Sequence, residues 1–111
     1  IGAVGPAHCV LSREATGVGL EAMIFVRLVR HARDRVEAFH RHAESLPEVV
    51  SVFHVSGEHD FIVQVAVRDS QHLRDLAMDA FTTRGEVAQI ETHLIFERSE
   101  WPRVPIYRKG R

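Results

Sequence analysis

Cysteine is all but missing from this 111-residue chain, and Cys9 is the only one. A single thiol excludes a disulfide framework and fits a reducing compartment, which points to the cytoplasm. Lysine is equally scarce: of 14 basic residues only Lys109 is not arginine. The arginines are scattered without a phosphate-binding pattern, so this bias reads as a codon-usage habit. Charge of one sign is also missing. The 14 basic residues stand against 15 acidic ones, a net charge of -1. That balance excludes a generally basic nucleic-acid binder and leaves any DNA contact to a local patch or to residues outside this segment. No apolar run approaches the roughly 18 residues of a membrane span. Ile1-Gly2-Ala3-Val4 has no basic leader, so no signal peptide is expected. A chain that starts on Ile rather than Met is expected to be a piece of something longer.

What is present is an ordinary globular composition, 45% hydrophobic and 26% charged, in a length that suits one domain. Residues 1–6, with Gly2, Gly5 and Pro6, are linker-like, and Ala7 to Leu11 reads as a short strand. Gly17 and Gly19 mark a turn before a β-rich run, Leu20 to Val29. There Ala22, Ile24, Val26 and Leu28 face one way and Glu21, Met23, Phe25 and Arg27 the other. Val36, Phe39, Ala43 and Leu46 form one apolar stripe, predicting a helix over about Arg33 to Ser45 that Pro47 ends.

A strand from Val49 to Ser56, with Val50 and Val52 on one face, then meets a three-residue hairpin loop, Gly57-Glu58-His59. The next strand, Asp60 to Val67, alternates Phe61, Val63, Val65 and Val67 with the opposite set. Asp69 or Ser70 can cap a second helix with the stripe Leu73, Leu76, Ala77, Ala80 and Phe81, which Gly85 ends. The last strand, Val87 to Glu97, sets Ala88, Ile90, Thr92, Leu94 and Phe96 against the alternate residues. From Ser99 an extended basic tail follows. The order βαββαβ predicts an α+β, ferredoxin-like unit: a four-stranded antiparallel sheet with two helices on one face.

Two helices cover only one face of such a sheet. The other carries Met23, Phe25, Arg27, Ser51, Phe53, Ile62, Gln64, Ala66, Gln89, Glu91 and His93. Met23, Phe25, Phe53 and Ile62 would otherwise cluster in water, so a sheet-to-sheet dimer is expected, with Gln64 in the same interface. The alternative is a solvated face with a few stray apolar residues.

The eight histidines suggest a metal site, but His40 and His42 diverge on a helix and His54, His59 and Asp60 lack a fourth ligand. No metal and no cofactor is expected. Ser56, His59 and Asp60 are too close in sequence for a hydrolytic relay. Gly17-x-Gly19 leads into a strand and is not a phosphate loop. The hairpin from Val55 to Asp60 admits two readings. Asp60 can bond local amides as a turn cap. Equally, free N–H groups at Gly57 can hold a carboxylate while Asp60 holds an ammonium, a site for an amino acid's head group.

Leu46-Pro47-Glu48-Val49, Val55-Ser56-Gly57-Glu58-His59-Asp60-Phe61 and Thr92-His93-Leu94 together resemble the C-terminal effector domain of the Lrp/AsnC (feast/famine) regulators. Val10-Leu11-Ser12 and Gly17-Val18-Gly19-Leu20-Glu21-Ala22 resemble the strand and turn entering that domain, so the likeness covers residues 7–98. It implies a transcription regulator rather than an enzyme, dimeric sheet to sheet and assembled further, often to octamers, with a small effector, usually an amino acid, bound between dimers. It makes Gly57 and Asp60 effector contacts, with Ser56, Glu58 and His59 in the same loop and Thr92 at a matching position on the last strand. His59 stands where the family often has an aromatic residue. Because histidine ordinarily titrates near pH 6.5, effector binding there is expected to depend on pH.

The resemblance further implies a linker over 1–19, an effector-binding and dimerisation domain over 20–98, and an extended tail over 99–111. The family's helix-turn-helix, through which it meets DNA, is not in this segment. Two rival readings are a stand-alone metabolite-binding module without a DNA partner and a small dimeric α+β-barrel enzyme. The latter needs a titratable pocket where Phe61, Val63, Val65 and Val67 meet Leu73, Leu76 and Phe81, and those residues read as plain core.

Overall fold

A computed structural model describes residues 17–29 and 33–108. The strand expected over Ala7 to Leu11 and residues 1–16 of the linker expected over 1–19 lie outside the described residues. Six elements follow in the order β1 (Leu20–Leu28), α1 (Arg33–Ser45), β2 (Val49–His54), β3 (Phe61–Val67), α2 (Ser70–Leu76) and β4 (Val87–Leu94). The strands form one antiparallel sheet in the order β2-β3-β1-β4, the ferredoxin-like arrangement. No helix among the described residues is long and apolar enough to cross a membrane.

The core sits between the sheet and the two helices. The even-numbered residues of β1 from Ala22 to Leu28 are buried, as are Phe61, Val63, Val65 and Val67 of β3. Phe39 and Ala43 of α1, with Leu73, Leu76 and Phe81, close the layer from above. Rings carry much of this packing, since Phe39 lies 5.1 Å from Phe61 and 5.9 Å from Phe81, centroid to centroid. Truncating a phenylalanine buried to this extent typically costs about 3–5 kcal/mol.

Several local expectations are corrected. β2 ends at His54, not Ser56, and its register slips between Val49 and Ser51. The bulge turns Val50 to solvent, 56% exposed, and leaves Val49 and Val52 to pack on the core. The β2–β3 connection therefore runs from Val55 to Asp60 and is longer than a three-residue loop. β4 ends at Leu94, and an irregularity opposite Arg27 and Leu28 brings Val87, not Ala88, to the core. Leu94 and Phe96 are exposed, 45% and 92%: β4 is an edge strand, and Phe96 lies beyond its end.

Asp69 is the cap of α2. Its carboxylate accepts from the His72 amide at 2.8 Å. The helix does not run straight to Gly85. It widens into a π-helical turn over Ala77–Thr82 and ends at Thr83 in ordinary right-handed geometry, while Ala77 stays outside the core. Gly85 is not in the left-handed region, which among the described glycines holds Gly17 and Gly57.

Candidate functional site

The connection between β2 and β3 is built around Gly57, whose φ of +112° lies where an L side chain is strained. The Val55 amide closes the loop on the Asp60 carbonyl at 3.0 Å. Between them, the amides of Ser56, Gly57, Glu58 and His59 make no hydrogen bond to any described residue. Ser56, Gly57 and Glu58 are exposed. The loop thus offers a short run of open N–H donors around one glycine.

Asp60 anchors this loop to β1. Its amide donates to the Val26 carbonyl at 2.8 Å, and its Oδ2 accepts from the Leu28 amide at 2.8 Å. The carboxylate therefore extends the β1–β3 ladder by one rung, doing what a backbone carbonyl does elsewhere. This is the structural half of the two readings of Asp60. The functional half is left to Oδ1, which takes no hydrogen bond among the described residues.

His59 does not point with the rest of the loop. Its ring meets Phe25 edge to face at 5.4 Å on the open face of the sheet, and its Nε2 lies 3.8 Å from Glu91 Oε1. Phe25 meets His93 on its other side at 4.9 Å, and His93 Nε2 is 3.4 Å from the same Glu91 oxygen. The strand alternation placed Glu91, His93 and Phe25 on that face. It gave no sign that a loop histidine would join them, because a residue outside a strand has no period. His54 and His59 do not converge. His54 stacks on Phe61 at 4.7 Å on the helix side, while His59 lies on the opposite face. Among the described residues no three His, Cys, Asp or Glu side chains are grouped to hold a metal ion.

The other expected residues are spread more widely. Thr92 pairs with Ile24, whereas the loop meets β1 at Val26 and Leu28. Within one chain β1 separates Thr92 from the loop, so the fold does not bring them together. Met23, Phe25, Ile62, Gln64 and Phe53 do share the open face, since Met23 pairs with Gln64, Phe25 with Ile62 and Ile62 with Phe53. Gln64 alone of the five is buried, at 8% exposure, and Phe53 remains 46% exposed.

A groove of about 310 Å³ lies at the opposite end of the sheet, between Gly17, Pro47, Glu48 and Arg68. Its Glu48 carboxylate is tied to His72. The Arg68 amide donates to His72 Nδ1 at 3.0 Å, so the ring proton sits on Nε2 and bonds Glu48 Oε2 at 3.0 Å. This hydrogen bond from His72, opposed by burial, holds the Glu48 carboxyl below its ordinary range. The triad clamps β2, β3 and α2 together, and sequence reasoning missed it because no motif joins Glu48 to His72. Burial pushes Glu86 up, but its bond to the Arg84 guanidinium and local backbone bonding outweigh this, leaving its pKa lowered.

A two-layer α+β domain whose four-stranded sheet runs β2-β3-β1-β4 has a ferredoxin-like fold, which by itself leaves function open. Comparison with known proteins makes the class specific: the model of the Lrp/AsnC ligand binding domain matches residues 21–101, and the chain belongs to that family. It is 36% identical over 97 residues to the HTH-type transcriptional regulator AldR of Mycolicibacterium smegmatis, covering 87% of this chain and 57% of that regulator. The chain thus spans little more than half the length of this relative. Among solved structures it is similar to a transcriptional regulator from Neisseria meningitidis in complex with L-Met. The identity is 25%, the TM-score 0.77, and the match covers 89% of this chain and 64% of that one. Escherichia coli AsnC shares the fold at 20% identity and a TM-score of 0.72, over 96% of this chain and 66% of its own.

Proposed function

We propose that this chain is the effector-sensing and oligomerisation domain, residues 20–98, of a cytoplasmic transcription regulator of amino-acid metabolism. It acts as a sensor, not a catalyst. The observation that carries the reading is the loop from Val55 to Asp60, which sets open amides around Gly57 beside a carboxylate with one oxygen uncommitted. Those two features complement the two charges of an α-amino acid: the amides donate to its carboxylate and Asp60 Oδ1 accepts from its ammonium. Ser56 and Glu58 line the loop, and His59 links it to the open face. Thr92 joins the site from a neighbouring copy, since its own strand holds it away. The L-Met bound by the Neisseria relative supports an amino acid as the effector class.

Dimers form through Met23, Phe25, Phe53, Ile62 and Gln64, and they associate further, to an octamer. Operator recognition belongs to a helix-turn-helix outside the ligand-binding domain, as the name of the AldR relative implies. Effector binding acts on DNA by favouring one assembly state over another.

Titration calorimetry with the 20 common amino acids tests the site. Asp60→Asn is the variant of choice, because its amide oxygen keeps an acceptor for the Leu28 N–H while removing the charge that meets an ammonium. The expected result is loss of at least tenfold in affinity with the fold retained. Unchanged affinity in Asp60→Asn overturns the assignment.

A further inference from the structure

Beyond β4 the chain runs on as an arm that, past Arg98, the described residues of its own domain do not hold. After β4 it is tied down by the Ile95 amide, which donates to the Glu21 carbonyl at 2.9 Å, and by Arg98, which pairs with the Glu21 carboxylate at 2.7 Å. From Ser99 to Arg108 it makes no hydrogen bond or ion pair to any described residue. Yet it carries Trp101, Val104, Ile106 and Tyr107, which with Phe96 are between 65% and 92% exposed. Five large apolar side chains within twelve residues exceed the isolated exposed leucine or valine of any surface, and such clusters mark interaction sites. Pro102 and Pro105 fix φ and hold the arm extended, which lowers the ordering cost of docking it.

Three observations identify the occupant as a second copy of this chain. The arm's anchor, Glu21, belongs to the row Glu21, Met23, Phe25 and Arg27 that lines the open sheet face, so the arm leaves from the rim of that face. Charge is complementary: residues 17–94 hold twelve Asp and Glu against eight Arg, net -4, while residues 95–111 hold five basic residues against two acidic ones, net +3. Reach is sufficient, because the ten residues from Arg98 to Tyr107 span about 30 Å when extended. The molecule is 23 Å along its shortest axis, so an arm of that length can cross a partner seated on the open face.

We propose that residues 96–107 clasp a second copy across the sheet-to-sheet interface, with Trp101 as the principal anchor. The proposal rests on the sheet-to-sheet dimer described above and adds to it a second, peripheral contact. Tryptophan suits this role, since it buries a large rigid surface at low entropic cost.

Trp101 is the chain's only tryptophan, so its fluorescence reports on the arm alone. Sedimentation and iodide quenching are measured on one dilution series of the full 111-residue chain. The expected result is a dimer in which Trp101 is shielded, with shielding lost in step with dissociation. Deleting residues 96–111 is expected to raise the dissociation constant at least tenfold. Phe25→Asp, which charges the open face, is expected to give a monomer with a fully quenched Trp101.

A dimer whose Trp101 is quenched as freely as in that monomer, and whose dissociation constant survives the deletion, overturns the clasp and leaves the sheet interface standing. A chain that is monomeric at every concentration overturns both. An arm deletion that abolishes binding to a DNA duplex while leaving the dimer constant unchanged overturns the clasp in favour of a nucleic-acid contact.

Discussion

At Gly19 the approach to β1 runs tight against the end of β3. Its amide donates to the Val67 carbonyl at 2.9 Å, and a Cβ there would stand 2.1 Å from the Arg68 carbonyl oxygen. Backbone cannot yield as a flexible side chain does, so Gly19→Ala must prise the strands apart at that rung. A loss of about 1–3 kcal/mol is expected, as for other overpacked sites, read as a lowered midpoint in chemical denaturation; wild-type stability would contradict the close approach. Asp60 raises a different residue-scale question, because it carries both a rung of the ladder and a candidate ligand contact. Asp60→Ala leaves the Leu28 amide without its acceptor and is expected to cost about 1–3 kcal/mol. Asp60→Asn keeps the acceptor and is expected to fold nearly as well. Equal destabilisation by the two would show that the charge, rather than the hydrogen bond, holds the loop.

Elements were legible in proportion to how strongly one face is buried. The stripe of Val36, Phe39, Ala43 and Leu46 gave α1 and its end at Ser45, and the alternation of β1 and β3 gave the core, because a slip of one position there would expose a whole row. β2 misled because Val49, Val50 and Val52 are equally apolar, so the bulge that turns Val50 outward leaves no mark in composition. Of the candidate site, the loop's position and the place of Asp60 beside it were legible, but His59 turning onto Phe25 was not, since side-chain direction outside a strand has no period. The clamp of Glu48, His72 and Arg68 was invisible for a related reason, as its parts lie just before β2, in α2 and just after β3. That clamp carries a pH dependence of known sign. The carboxyls of Glu48 in the clamp and of Glu86 outside it are held below the ordinary glutamate value of 4.5 in the folded chain, so the unfolded chain binds more protons as the solution is acidified. The stability they contribute is present above that value and is lost as pH falls through their lowered folded values. Thermal melts of the wild type between about pH 6 and 3 are expected to fall, with a shallower fall in Glu48→Gln and Glu86→Gln. Parallel curves for all three proteins would assign the acid sensitivity elsewhere.

At the scale of the whole molecule, adjacent residues join the proposed sensing loop to the proposed assembling face. Asp60 bonds β1 at Leu28, while His59 sets its ring on Phe25, a residue three positions earlier on the same strand and central to the open face. A ligand that draws the loop inward must therefore shift the packing of His59 on Phe25, and with it the surface that a second copy meets. If ligand tightens dimerisation by some factor, dimerisation must tighten ligand binding by that same factor, typically about 5–150-fold in coupled systems. The comparison needs no DNA. Affinity for the amino acid identified by calorimetry is measured on the wild-type dimer and on the Phe25→Asp monomer, and the dimer is expected to bind more tightly. His59→Ala severs the link while sparing both Asp60 and the apolar face, so it is expected to bring the two affinities together without dissolving the dimer. Equal affinity in the wild-type dimer and the Phe25→Asp monomer would sink the coupling, because a ligand indifferent to assembly cannot shift it.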